Sequence, residues 1–181
     1  SELCMKSVSE AQQGFVRGRS ITDNVLTIEA YSVYFSRFFN KKSGTMLFDI
    51  SAAFPSLLHS FLFAVLERMG VLAFVLHAPP TALLAERLHY IFNGGRFEGL
   101  GIYSGTRQGW LASGSLFAIA FGLLLRGMCR LLPLPRAVIR ALADDVGVVI
   151  LDILGALVIV IGAFEVLSGG AGLRLNSNKC M

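Results

Sequence analysis

Cysteine and charge are both scarce in this chain. Cys4, Cys129 and Cys180 are odd in number and show no Cys-x-x-Cys spacing. That pattern excludes a disulfide framework and a thiolate zinc site, and it points to a reducing, intracellular setting in the cytoplasm or nucleus. Charged residues make up only 15% of the sequence against 54% hydrophobic ones, and the mean hydropathy is +0.65. The net charge of +4 admits a polyanionic partner without demanding one. Ser1-Glu2 opens polar with no basic-then-apolar pattern behind it, so no signal peptide is expected. Internal repeats, low-complexity tracts and linkers are missing as well. A chain of 181 residues without them reads as one domain, large enough to bury about 70% of its unfolded surface.

The apolar excess requires a membrane reading to be tested. Leu111 to Leu125 is uncharged but stops short of a span and holds serines and glycines. Val146 to Phe164 reaches spanning length, but Asp152 interrupts it and Asp144-Asp145 abut its start. A small integral membrane protein remains an alternative, and no stable membrane association is expected.

What is present is punctuation. Gln13 to Ser20 places Arg17 and Arg19 in a glycine-flanked loop, where guanidinium forks suit phosphate. Ser20 or Thr22 caps a helix from about Asp23 to Phe39, with Val25, Ile28, Val33 and Phe35 near one face. A short strand, Thr45 to Ile50, ends in Asp49, and Pro55 stops it. Ser56 is positioned to cap a helix reaching Met69, with Gly70 as its stop, and His59 on that helix reads as structural. Pro79-Pro80 break Val71 to His89 into two helical pieces, and Asn93-Gly94-Gly95 turns a hairpin of Leu88–Phe92 and Arg96–Tyr103. A helix from Ser113, its cap, to Leu131 follows, with Leu116, Ile119, Ala120, Leu123 and Leu124 toward the core. Asp152 caps a last helix to about Leu167, Ser168-Gly169-Gly170 turns the chain, and Gly172 to Asn176 forms a final strand.

One stretch organises the rest. Ala141 to Leu151 sets Asp144-Asp145 between apolar, β-branched-rich runs, with no basic residue beside the pair after Arg140. Two strands meeting there put both acids on a tight hairpin. Burying two unpaired carboxylates is costly, and a divalent cation with oxygen ligands, Mg2+ above all, relieves it. Taken alone, the pair reads first as a solvated turn, and Asp49 equally as a plain turn residue.

Five blocks in order carry more. They are Gln13-Gly14-Phe15-Val16-Arg17-Gly18-Arg19-Ser20-Ile21-Thr22-Asp23-Asn24, Phe48-Asp49-Ile50-Ser51-Ala52-Ala53-Phe54, Thr106-Arg107-Gln108-Gly109 with Ser115-Leu116-Phe117, Leu142-Ala143-Asp144-Asp145, and Gly172-Leu173-Arg174-Leu175-Asn176 with Lys179. With these the chain resembles the reverse transcriptases of non-LTR retrotransposons over nearly its whole length. The resemblance implies an α+β right-hand polymerase palm, a small antiparallel sheet backed by helices, with part of the fingers. Residues 12–44 would be partial fingers and 45–181 the palm, with a fingers-like insertion at about 71–104 and the thumb absent. It implies RNA-directed DNA synthesis on an RNA template, with a DNA primer and dNTPs. Asp49, Asp144 and Asp145 would hold two Mg2+ ions, with Mn2+ able to replace them. Ile50 would offer its carbonyl, and Phe54 would sit beneath the sugar and reject a 2′-hydroxyl. Gln108 would line the nucleotide site, Arg17 and Arg19 would meet triphosphate or template backbone, and Lys179 would protonate pyrophosphate.

The sequence departs from the family at Trp110-Leu111 and Ser113-Gly114, where Cys-Pro and Ser-Pro are usual. It departs again at Leu142, where an aromatic is usual, and at Ala52 and Pro55, where a base and a second acid are common. A degenerate palm that binds metal or nucleic acid weakly is the further alternative.

Overall fold

The computed structural model describes residues 8–39, 42–70, 87–106 and 112–181. In chain order these form α1 (Ile21–Phe38), β1 (Gly44–Phe48), β2 (Ile50–Ser51), α2 (Ala53–Ser56), α3 (His59–Arg68), β3 (Arg87–Phe92) and β4 (Gly95–Gly101). They continue with α4 (Ser113–Leu131), β5 (Ala137–Leu142), β6 (Asp145–Ile150), α5 (Ile153–Ala171) and β7 (Arg174–Leu175). The helical pieces expected over Val71 to His89 lie outside the described residues as far as residue 86, and residues 87–89 are strand, the start of β3.

The centre is an antiparallel sheet in the order β1-β6-β5. Its strands read as near-continuous apolar runs because helices cover both faces. Ala137, Ile139, Ala141, Val146, Val148, Ile150, Met46 and Phe48 enter the main core, where α4 and α5 pack. Alternate residues Val138 and Val149 face the other way, onto Phe35 of α1. Burial of each such side chain contributes roughly 1.5–3 kcal/mol, so register is strongly specified: a one-residue slip would exchange the two faces. A second, two-stranded sheet pairs β2 with β7, Ile50 opposite Leu175. β3 and β4 form a separate hairpin about Asn93-Gly94.

Several local expectations need correcting. Ser56 caps nothing: Pro55 lies inside the single-turn α2, and α3 starts after Leu58, whose side chain makes no cap bond. Ala112, not Ser113, stands at the start of α4, and Ser113 is buried. In α4, Leu123 turns outward while Phe117, Ala118, Phe121, Leu125 and Met128 are buried. The apolar face is wider than one stripe because α4 packs against α3, α5 and β5. On α1, Phe35 is buried, but Val25 and Val33 are exposed. The apolar run from Val146 divides between β6 and α5. Ser168-Gly169-Gly170 is the last turn of α5 rather than a loop. By length and composition α4 and α5 are each apolar enough to cross a membrane; α4 is mostly buried and α5 mostly not.

α5 is capped at both ends. Asp152 accepts from the Gly155 N–H, and Gly172 closes the helix at φ 77°. A Cβ at Gly172 would lie 2.6 Å from the Ser56 carbonyl oxygen. The left-handed conformation alone costs an alanine about 1–2 kcal/mol. Gly172→Ala should therefore destabilise the chain by about 2 kcal/mol and lower Tm by about 4–8 °C, measured by circular dichroism melting.

Candidate active site

β1 and β6 end together. Phe48 pairs with Val146, and the next residue on each strand toward this edge is an acid, Asp49 after β1 and Asp145 opening β6. Leu142 pairs with Asp145, which leaves Ala143-Asp144 as the two-residue tip of the β5–β6 hairpin. The acids expected on one turn are thus divided between the tip and the first strand position. Asp49 and Asp145 line one cavity of about 930 Å3, which also touches Lys179, Arg140 and residues of α1.

Asp49 is anchored on one oxygen. The Asn176 side-chain amide donates to its Oδ2 at 2.9 Å, and Lys179 Nζ lies 3.4 Å from the same atom. Both partners arrive through β7, since the Asn176 N–H also bonds the Asp49 carbonyl. Asp49 is mostly buried whereas Lys179 is largely exposed, so the pair is screened on one side and its net worth is small. The Asp144 carboxyl is pushed above the usual carboxylate range, mainly by burial and further by Asp145 and Asp49. A hydrogen bond from its own backbone and the Lys179 charge pull the other way.

Phe54 is half-buried after the left-handed turn at Ala52. Phe117 backs its ring at a centroid distance of 4.7 Å, and Phe15 meets it edge-on at 5.6 Å. Ile50 is buried at the β2–β7 pair. His59 Nε2 lies 2.7 Å from the Gly105 carbonyl oxygen, a structural tie that holds the residue 103–106 segment against α3. Arg17 is exposed, while an Arg19 Nη donates to the carbonyls of Ser9, at 2.6 Å, and Gln12. Arg19 thus secures the loop that carries it. Gln108 lies outside the described residues.

Sequence reasoning missed Gln12, Asn176 and Phe15 as site-building residues. Asn176 and Phe15 were visible only as parts of their blocks. Their partners stand 127 and 39 residues away, and only folding joins them.

The donor types suit a hard divalent cation: carboxylates of Asp49, Asp144 and Asp145 stand at one sheet end, with Lys179 beside Asp49 and its charge felt by Asp144. Among the described residues no three or more His, Cys, Asp or Glu side chains are grouped closely enough to hold a metal ion, so the three acids share a sheet end without forming a complete metal centre. An open arrangement suits magnesium, which keeps several waters and takes substrate oxygens alongside one or two carboxylates.

The raised pKa has a definite sign in stability. The folded chain retains the Asp144 proton to higher pH than the unfolded chain, so stability falls as pH rises from the ordinary carboxylate range through Asp144's folded-state pKa. Asp144→Asn in EDTA should raise Tm at pH 7 by about 2 °C, a small gain because solvent screens a half-exposed carboxylate. The gain should shrink as pH falls through the ordinary Asp range and vanish below about pH 3, where the carboxyl is protonated in both states.

The chain matches the reverse transcriptase (RNA-dependent DNA polymerase) family across residues 2–181. Among solved structures it is similar to the apo telomerase of Candida tropicalis truncated of its C-terminal domain, at 14% identity and a TM-score of 0.67, covering 94% of this chain and 35% of that one. It is also similar to the Candida albicans telomerase in complex with a fragment of telomeric RNA, at 14% identity and a TM-score of 0.68, covering 100% and 32%. The chain spans about a third of the length of these telomerases. The likeness is one of fold, a small antiparallel sheet backed by helices as in the palm and fingers of these enzymes. On the family match the conclusion is direct: this chain belongs to the reverse transcriptase (RNA-dependent DNA polymerase) family.

Proposed function

We propose that this chain is the palm and partial fingers of an RNA-directed DNA polymerase of the non-LTR retrotransposon type, a piece of a longer retroelement protein. It would act on an RNA template, a DNA primer and dNTPs by a two-metal mechanism. The observation that carries this reading is the meeting of Asp49, Asp144 and Asp145 at one sheet end, within a family match that spans the chain. Support for the retrotransposon type comes from the ordered blocks, Gln13 to Asn24 and Phe48 to Phe54 above all.

Asp49, Asp144 and Asp145 would hold the ions. Bound there, Mg2+ supplies an acidified primer 3′-hydroxyl and charge neutralisation for the departing pyrophosphate. Ile50 offers its main-chain carbonyl to the nucleotide. Phe54, backed by Phe117 and flanked by Phe15, has little room to retreat, so a 2′-hydroxyl meets a stiff ring. Gln108 is assigned to the sugar side of the nucleotide, and Arg17 to its triphosphate or the template backbone. Arg19 shares that assignment only through an Nη not already given to its own loop. Lys179 Nζ holds a proton beside Asp49 and is the donor for the leaving pyrophosphate.

Primer extension on an RNA template with Mg2+ tests the reading. Asp144→Asn should lower the rate at least about a hundredfold, and equal extension by wild type and variant would remove the acid from the mechanism. Phe54→Ala should relax discrimination against rNTPs on the order of tenfold, read as the ratio of kcat/KM for dNTP and rNTP. Unchanged discrimination would contradict the steric assignment.

A further inference from the structure

Gln12 is completely buried, in a loop tied by backbone bonds and by the Arg19 side chain. Its side-chain oxygen accepts from the Ala143 N–H and the Gly14 N–H, each at 2.8 Å, and its amide nitrogen donates to the Ala143 carbonyl at 2.8 Å. One side chain therefore grips both polar groups of the residue just before Asp144-Asp145. Ala143 has φ 57°, a conformation an alanine adopts only when its surroundings impose it.

The rest of the loop reinforces the grip. Ala141 donates to the Ala11 carbonyl and accepts from the Gln13 N–H, both at 2.8 Å, so the loop is tied to the β5 edge through a single parallel bridge at Gln12. Asn24 Nδ2 adds a bond to the Ala141 carbonyl at 2.9 Å. Arg19 secures the carbonyl of Gln12 itself. At Gly14 a Cβ would overlap the Ala143 amide nitrogen, so only glycine lets the loop approach this closely.

We propose that Gln12 is a positioning residue for the polymerase site: by gripping Ala143 it fixes the tip of the β5–β6 hairpin and sets where the Asp144 and Asp145 carboxylates stand. The proposal rests on the reading of those acids as cation ligands. A neutral amide is the side chain that suits the task, since it presents a donor and an acceptor together and adds no charge beside two carboxylates. Glutamate keeps the two accepted bonds but turns an oxygen toward the Ala143 carbonyl, and methionine fills the space while making neither kind of bond.

Gln12→Glu and Gln12→Met test it, with folding checked by circular dichroism. Free Mn2+, measured by electron paramagnetic resonance, reports cation affinity without any need for turnover. Residues that orient ligands typically change affinity or activity by about 10–100-fold, and a loss of that size is expected in both variants. Primer extension should lose kcat by a similar factor while the template–primer KM holds, and raised Mn2+ should restore part of the rate. A folded Gln12→Met that binds Mn2+ and extends primers as the wild type does would overturn the proposal. Should neither variant fold, hydrogen exchange in the unsubstituted chain decides. Protection of the Ala143 amide is expected, and exchange there at the rate of a free peptide would overturn the grip. Mn2+ binding that depends on Gln12 in a chain that extends no primer would support the positioning role and remove the polymerase reading. Full-rate extension by Gln12→Met would do the reverse.

Discussion

Like charges crowded at one end of a narrow sheet set the terms for everything around them. β1 and the β5–β6 hairpin deliver Asp49, Asp144 and Asp145 to the same edge, where burial first and the two neighbouring acids next raise the cost of ionising Asp144. The fold relieves them piecemeal. Asp49 receives Asn176 and Lys179. Asp144 receives a backbone hydrogen bond and the field of Lys179, and still titrates above its ordinary range. An arrangement that destabilises the bare chain is the arrangement a hard cation favours, so stability and chemistry pull in opposite directions at this edge.

The scaffold answers with stiffness. Helices lie on both faces of the β1-β6-β5 sheet, and the β6 valines divide between them. That double burial removes any freedom of register. The hairpin tip, which burial cannot restrain, is held instead by hydrogen bonds from the loop that carries Gln12. The same logic recurs across the site, where Phe54 is held between Phe117 and Phe15 and where Gly172 directs the chain from α5 into β7. Asp49, Asp144, Asp145 and Phe54 each stand on or beside an element held by several independent contacts.

Similarity to telomerases at 14% identity with TM-scores near 0.67 shows how little sequence the architecture requires. Volume and alternation preserve a palm sheet through wide substitution. Carboxylates at a strand end are less replaceable, because no other side chain offers hard anionic oxygens.

The sequence by itself determined the elements with strong local chemistry. Ser20 and Asp152 cap the helices they were expected to cap, the Asn93-Gly94 hairpin lies where its turn residues put it, and α4 runs from Ser113 to Leu131 as its apolar pattern predicts. The ordered acidic blocks also named the residues of the candidate site. Local rules failed where packing outweighed them. Ser168-Gly169-Gly170 stays helical because Leu167 and Ala171 are anchored in the core, and α2 accommodates Pro55 in its single turn, where a missing N–H costs nothing. Only the tertiary structure decided what holds the acids. Gln12 meets Ala143 across 131 residues and Asn176 meets Asp49 across 127, and hydrogen bonds of that span leave no period or spacing in a sequence to read.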